Sequence, residues 1–144
     1  MLSEQQRRCA VLGSPIGHSL SPVLHRAAYE SLGLDWSYDA VEVDSAGLAD
    51  FVDSLGAEWR GLSLTMPLKR TVLPLLTEHD EWVSRSGAAN TVILEDNHRM
   101  GYNTDIPGAL AALQERGVCA ARVTILGAGA TAASVGLALA EMGA

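Results

Sequence analysis

Short apolar runs alternate along this chain with segments in which apolar residues recur every three or four positions. The runs predict buried or half-buried strands at residues 9–12, 36–43, 61–64, 91–94 and 123–126. The periodic segments predict helices at residues 21–32, 44–55, 68–76, 80–86, 106–116 and 130–142.

Residues at the element boundaries support this pattern. Ser21 is predicted as the N-cap of the first helix, with Pro22 at its first helical position. Gly33 and Gly117 each end a predicted helix, as C-terminal glycines commonly do. Asp105 is predicted as the N-cap of the helix at residues 106–116. In the first helix, the apolar residues that recur at helical spacing are Val23, Leu24, Ala27, Ala28 and Leu32.

Alternating strands and helices predict an α/β fold with an open, largely parallel, twisted sheet flanked by helices. We expect one compact domain over residues 1–104, a connecting helix and linker over 105–121, and the first β-α unit of a second domain over 122–144. A parallel strand requires neighbours, which a single strand-helix pair does not supply. We therefore expect this chain to be a fragment, or to dock its last elements on its first domain or on a partner.

Charge and composition exclude several classes of protein. Ten Lys and Arg against 17 Asp and Glu give 10 − 17 = −7 over 144 residues, which argues against nucleic-acid and anionic-membrane binding. The uncharged segment 123–140 contains glycines and hydroxyl residues, and it predicts strand, turn and helix instead of a membrane span. Cys9 and Cys119 lie far apart, which favours reduced thiols. We expect a soluble, cytoplasmic protein.

A glycine-rich segment, Gly127-Ala128-Gly129-Ala130-Thr131-Ala132, follows a predicted strand and opens a predicted helix. Two glycines let a backbone approach a pyrophosphate, and a helix N-terminus offers free N–H groups. Ala132 stands where the full G-x-G-x-x-G pattern has its last glycine, a position that tolerates alanine. An ordinary tight turn is the alternative, but the flanking strand and helix favour a dinucleotide-binding loop.

Polar residues follow three other predicted strands. Ser19 and Ser21 lie where an open α/β sheet binds ligands; from the residues alone, capping is favoured for Ser21 and the role of Ser19 is open. Lys69 lies near a predicted helix start, where the helix dipole disfavours a cation, and this unusual position indicates a lysine for general acid/base chemistry. The alternative, favoured from the residues alone, is a solvated lysine beside Arg70. The four histidines lack metal-ligand spacing, so no metal site is predicted.

Five stretches occur together and in order. They are residues 11–22 (VLGSPIGHSLSP), 64–69 (LTMPLK), 87–91 (GAANT), 101–105 (GYNTD) and 127–130 (GAGA). Together they resemble the shikimate dehydrogenase family with its quinate/shikimate relatives, and particularly its mycobacterial and other actinobacterial members. The resemblance extends over almost the whole chain.

The resemblance implies a reaction, a function for each domain and a role for individual residues. The family reduces 3-dehydroshikimate reversibly to shikimate in aromatic amino-acid (chorismate) biosynthesis, with NADPH as cofactor. Residues 1–104 become the substrate-binding catalytic domain, and 122–144 the start of a Rossmann NADP-binding domain. The implied roles are carboxylate binding for Ser19 and Ser21, ring-hydroxyl binding for Thr65 and Asn90, a catalytic pair for Lys69 and Asp105, and cofactor binding for Gly127, Ala128, Gly129, Ala130 and Thr131.

The sequence also departs from the family pattern. Ser63 stands where the family usually has Asn, which leaves one substrate contact open. Family members are about twice as long as this chain, so the isolated chain is expected to be incomplete as an enzyme. The alternatives are a non-catalytic shikimate-binding module, a quinate/shikimate dehydrogenase that uses NAD, and a generic α/β fragment whose last strand drives association. A homodimer is compatible with the sequence.

Overall fold

The computed structural model describes residues 6–119 and 122–144. In the described residues, the elements are, in chain order, β1 (Arg7–Gly13), α1 (Ser21–Leu32), β2 (Trp36–Glu42), α2 (Leu48–Asp53), β3 (Trp59–Leu64), α3 (Leu68–Thr71), a 3₁₀ turn (Leu73–Leu75), β4 (Glu78–His79), α4 (Glu81–Ser86), β5 (Thr91–Glu95), β6 (His98–Tyr102), α5 (Asp105–Glu115) and α6 (Ala130–Glu141). None of the helices in these ranges has the length and apolar character needed to cross a membrane.

The strands form one mixed sheet in the order β2-β1-β3-β5-β6-β4. Strand β1 pairs in parallel with β2 and β3, and β4 pairs in parallel with β6. Strand β5 is antiparallel to both of its neighbours, β3 and β6. Five of the six strands therefore run in the same direction, which confirms the α/β fold with a largely parallel sheet.

A tight hairpin explains the reversed strand. Asp96 and Asn97, between β5 and β6, have positive φ angles of 47° and 65°. A two-residue turn of this kind matches the twist of an antiparallel pair. Strand β6 was not predicted, because its sequence contains no apolar run. Strand β4 has only two residues and was also missed.

The larger apolar core lies on the face of the sheet that α2, α3 and α4 cover. Its buried residues are aliphatic except for Trp59, as expected for a chain with 5% aromatic residues. Asp80 caps α4, since its carboxylate accepts a hydrogen bond of 2.8 Å from the Val83 N–H. The buried residues of this core are Ala10, Leu12, Val43, Leu48, Val52, Trp59, Leu62, Leu64, Leu68, Val72, Val83, Ala89 and Val92.

Helix α1 contacts the opposite face of the sheet through aromatic side chains. The His25 ring stacks on Tyr38, with centroids 4.0 Å apart and planes 11° apart. Tyr29 meets Trp36 edge-on at 5.5 Å. The aliphatic stripe whose spacing predicts the helix is exposed instead, with Leu24 at 67%. Helical periodicity predicted the element, but the larger apolar area of the rings decided which side packs.

Residues 122–129 contain no strand, so the strand predicted at 123–126 is wrong. Leu126 is 96% exposed. A parallel strand forms only when another strand supplies its hydrogen-bond partners, and no described strand lies beside this segment. Helix α6 does form as predicted, and it packs against α5 and α4. The division into domains at residues 104 and 122 stays a prediction.

Gly13 ends β1 where the loop after β3 passes closest. A Cβ at this position would overlap the Thr65 Cγ2 atom and lie 3.0 Å from the Met66 carbonyl oxygen, which is backbone and cannot swing away. Glycine is therefore required by the close approach of these two segments.

We expect Gly13→Ala to lower the free energy of unfolding by about 1–3 kcal/mol, the usual cost of overpacking. The matched control is Gly108→Ala in α5, where an added Cβ has no neighbour within 4 Å. Because alanine is the better helix former, the control should stabilise the protein by up to about 1 kcal/mol. Urea unfolding measures both variants, and equal stabilities would contradict the expectation.

Candidate active site

The loops after β1 and β3 are joined at the carboxyl ends of these strands. The Thr65 N–H donates to the Leu12 carbonyl at 2.9 Å, and the Ser14 N–H donates to the Met66 carbonyl at 3.1 Å. Each loop contains a cis peptide bond, before Pro15 and before Pro67. The segment that carries Ser19 and Ser21 therefore lies at the same edge of the sheet as Thr65.

Lys69 and Asp105 form an ion pair at this edge. The Lys69 Nζ lies 2.5 Å from the Asp105 Oδ2, and the side chains are 16% and 27% exposed. Lys69 lies on α3, which has only four residues. The electrostatic partner of the Lys69 ammonium is therefore the Asp105 carboxylate and not a helix dipole. Two predictions favoured by the residues alone are therefore wrong. Lys69 is not a solvated lysine, because it is mostly buried and paired with Asp105. Asp105 is not an N-cap, because Thr104 is the N-cap of α5.

Asn90 completes the environment of the Asp105 carboxylate. Its Nδ2 donates to the Asp105 Oδ1 at 2.7 Å, so each carboxylate oxygen has its own donor. Its Oδ1 accepts from the Thr104 N–H at 3.0 Å and from the Thr91 hydroxyl at 3.0 Å, and these bonds fix the amide orientation. Because β5 is antiparallel to the other strands, Asn90, which precedes β5, lies at the carboxyl ends of those strands.

Asn103 is a buried residue of this cluster to which the sequence assigned no role. It is 1% exposed. Its Oδ1 accepts from the Asp105 N–H at 3.1 Å. Its Nδ2 lies within hydrogen-bond distance of the Ser86 hydroxyl (2.9 Å), the Ala88 carbonyl (3.1 Å) and the Ser134 hydroxyl (3.1 Å). Ser134 lies on α6, so Asn103 links the start of α5 to α6. The only sequence signal was its place in the GYNTD stretch.

Ser19 and Ser21 lie in the loop that leads into α1. The Ser19 N–H donates to the Ile16 carbonyl at 3.0 Å, and the Ser19 hydroxyl accepts from the Ser21 N–H at 3.3 Å. Leu20, and not Ser21, is the N-cap of α1, so the capping role predicted for Ser21 is wrong. Within the described residues, neither hydroxyl bonds to Lys69 or Asp105.

A cavity of about 620 Å³ separates the loop after β3 from the glycine-rich segment. Thr65, Lys69 and Arg70 line one side, and Gly127, Gly129 and Thr131 line the other. None of the described residues that line it is acidic, although the chain carries a net charge of −7. The cavity therefore suits a ligand with anionic groups.

The start of α6 provides donors at this cavity. Gly129 is the N-cap, and the Ala133 N–H makes the first bond of the helix, to the Gly129 carbonyl at 3.1 Å. The N–H groups of residues 130–132 precede this bond and have no partner within the helix. Gly127 has φ 130°, a conformation that a side chain would strain. Free N–H donors, glycines and nearby cations fit the phosphates of a dinucleotide.

Comparison with known proteins identifies the family to which this chain belongs. The family model described as the shikimate dehydrogenase substrate binding domain matches residues 11–92, which is more than half of the chain. The chain belongs to this family. The shikimate dehydrogenase (NADP(+)) of Thermus thermophilus is 42% identical over 141 residues, which cover 94% of this chain and 52% of that protein.

Solved structures agree with the family assignment. The Thermus thermophilus shikimate 5-dehydrogenase in complex with NADP(H) and shikimate matches with a TM-score of 0.86 and 40% identity, over 95% of this chain and 53% of that chain. The Mycobacterium tuberculosis shikimate dehydrogenase matches with a TM-score of 0.85 and 41% identity, over 94% and 51% of the two chains. The chain thus spans about half the length of these shikimate dehydrogenases.

We expect Asn103→Ala to destabilise the fold by about 1–3 kcal/mol, because it leaves buried donors and acceptors without partners. The matched control is Gln114→Ala, which removes an exposed amide from the same helix that Asp105 begins. The control should change stability by less than about 0.5 kcal/mol. Urea unfolding tests the pair, and an Asn103→Ala variant as stable as the control would contradict the network described above.

Proposed function

We propose that the protein carrying this chain is an NADP-dependent shikimate dehydrogenase, which reduces 3-dehydroshikimate reversibly to shikimate. One observation carries this proposal: a single cavity has Lys69 on one side and the glycine-rich start of α6 on the other. A dehydrogenase requires that arrangement, because its proton-transfer group and its cofactor must meet the same carbon atom. Family membership supports it independently.

The substrate would lie over the carboxyl ends of β1 and β3. We assign the shikimate carboxylate to the hydroxyls of Ser19 and Ser21, and the ring hydroxyls to Thr65 and Asn90. Asn90 supports this role because Asp105 and its neighbours already fix its amide. Thr65 supports it by lining the cavity next to Lys69. Ser19 and Ser21 are supported only by their place at the same edge of the sheet.

Lys69 would move the proton. In the reducing direction its ammonium donates a proton to the carbonyl oxygen of the substrate, which becomes the hydroxyl oxygen of shikimate. Asp105, 2.5 Å from the Lys69 Nζ, holds the ammonium in place and stabilises its charge. In the oxidising direction the neutral amine takes the proton back from the hydroxyl. Proton transfer by a positioned group of this kind typically accelerates a reaction about 10²–10⁴-fold.

NADP(H) would be held by residues 127–131. When bound, this cofactor supplies or accepts the hydride. The free N–H groups at the start of α6 and the glycines before it suit its pyrophosphate. The choice of NADP over NAD rests on the shikimate dehydrogenases to which the chain is similar.

We also propose a cytoplasmic location without a nucleic-acid partner. Cys9 and Cys119 are both free thiols, as is usual in a reducing compartment. The net charge of −7 opposes binding to phosphate backbones. A homodimer stays a prediction, which light scattering at several protein concentrations tests directly.

We expect Lys69→Ala and Asp105→Asn each to lower turnover about 10²–10⁴-fold, because each removes part of the proton-transfer pair. The assay uses the protein that also completes the cofactor domain, and it follows the nicotinamide absorbance with shikimate and NADP. The matched control is Asp53→Asn, which removes an Asp–Arg ion pair of 2.8 Å at the opposite end of the sheet. Turnover close to the unsubstituted protein in both Lys69→Ala and Asp105→Asn would overturn the proposed chemistry.

Titration calorimetry separates the enzyme from a non-catalytic binding module. We expect shikimate to bind this chain, and NADP to bind the protein that also completes the cofactor domain. Quinate and NAD, titrated in parallel, test the alternative quinate/shikimate dehydrogenase. Shikimate binding without any nicotinamide binding in the complete protein would favour the module, and binding of neither ligand would exclude both functions.

A further inference from the structure

Tyr38 is a buried phenol that lies beneath the proposed substrate site and has no role in the chemistry described above. It lies on β2 and is 2% exposed. Its hydroxyl donates to the Ser63 hydroxyl at 2.7 Å. The phenol therefore bonds to the end of β3, and the ring also contacts His25 of α1, which begins at Ser21.

The position of the Tyr38 side chain is strongly constrained. The His25 ring stacks on it, and His25 is itself held by a 2.9 Å contact between its Nδ1 and the Ser21 carbonyl. The Arg26 Nε donates to the Tyr38 backbone carbonyl at 2.8 Å. Burial raises the pKa of the Tyr38 phenol, so the group remains a protonated donor at neutral pH.

The direction of the Tyr38–Ser63 hydrogen bond determines whether the Ser63 hydroxyl can donate a hydrogen bond to another group. A phenol has one proton, and Tyr38 gives it to the Ser63 oxygen. The Ser63 hydroxyl proton is then free to be donated elsewhere. Side chains alternate along a strand, so Ser63 points to the same side as Thr65 two residues later. Ser63 is partly exposed and lies one residue before the end of β3.

We propose that Tyr38 is a positioning residue of the substrate site: its phenol holds the Ser63 hydroxyl so that Ser63 donates a hydrogen bond to an oxygen of the bound hydroxy acid. This inference rests on the proposed function, because it takes shikimate as the ligand. Tyr38 does not touch the ligand. It acts by fixing the rotamer and the proton of Ser63.

A purely structural role for the Tyr38–Ser63 bond makes a different prediction. In that case the bond only satisfies a buried phenol, and its loss changes stability but not ligand affinity. The two roles are separated by measuring shikimate binding and thermal unfolding on the same variants.

The experiment is a double-mutant cycle with Tyr38→Phe, Ser63→Ala and the double variant, titrated with shikimate by calorimetry. We expect each single substitution to raise the dissociation constant about tenfold, the upper range for one neutral hydrogen bond. The double variant should bind no more weakly than Ser63→Ala alone, because Tyr38 acts only through Ser63.

Tyr29→Phe is the matched control. It removes another phenol hydroxyl from the same aromatic cluster, in which Tyr29 packs beside Cys9 and meets Trp36 edge-on. Its shikimate affinity should equal that of the unsubstituted chain. Ser63→Thr retains a hydroxyl and should bind within about threefold of it, which tests the role of Ser63 even if Tyr38→Phe unfolds.

Each outcome has a distinct meaning. If the unsubstituted chain binds no shikimate, the proposed function fails and this inference fails with it. If it binds and Tyr38→Phe binds equally well, only the inference is overturned. Losses that add in the double variant would also overturn it, because Tyr38 would then act by a route other than Ser63. Ser63→Thr binding as weakly as Ser63→Ala would show that no donated hydrogen bond is involved.

Discussion

The ion pair between Lys69 and Asp105 is the interaction on which the arrangement of the site depends. Both groups are more than two-thirds buried, and charges removed from water to this extent are costly unless they are paired. The pair joins α3, which follows β3, to the first turn of α5, which follows β6. Asn90 satisfies the second carboxylate oxygen, so the position of Asp105 is determined from two sides.

Asn103 extends this arrangement to the part of the chain that carries the glycine-rich segment. It accepts from the Asp105 N–H and contacts Ser134, which is fully buried on α6. The helix that lines one side of the cavity and the carboxylate that holds Lys69 on the other side are therefore linked through one side chain. A buried polar network that is fully satisfied favours one rigid geometry. The proposed function would require such rigidity, because a hydride and a proton would be delivered to neighbouring atoms.

The sheet positions these groups because of the direction of one strand. Parallel strands β1 and β3 deliver the Ser19 loop and Thr65 at their carboxyl ends, as expected for an open α/β sheet. Strand β5 runs antiparallel to β3 and is joined to β6 by the tight turn at Asp96 and Asn97. Asn90 precedes β5 and therefore lies at the same edge of the sheet. Without that reversal, Asn90 would lie at the far end of the sheet from Asp105.

The sequence by itself determined the local elements with strong periodicity, the α/β class, and the family through its five motifs. It also indicated Lys69, Asn90 and Asp105 as candidates, although not their contacts. Tertiary structure decided the pairing of Lys69 with Asp105, the links through Asn103 and Tyr38, and the side of α1 that packs. It also left residues 123–126 without strand structure, because β-strands depend on partners distant in sequence, whereas helices bond internally. Polar contacts between distant residues leave no periodic signal, and only the folded chain reveals them.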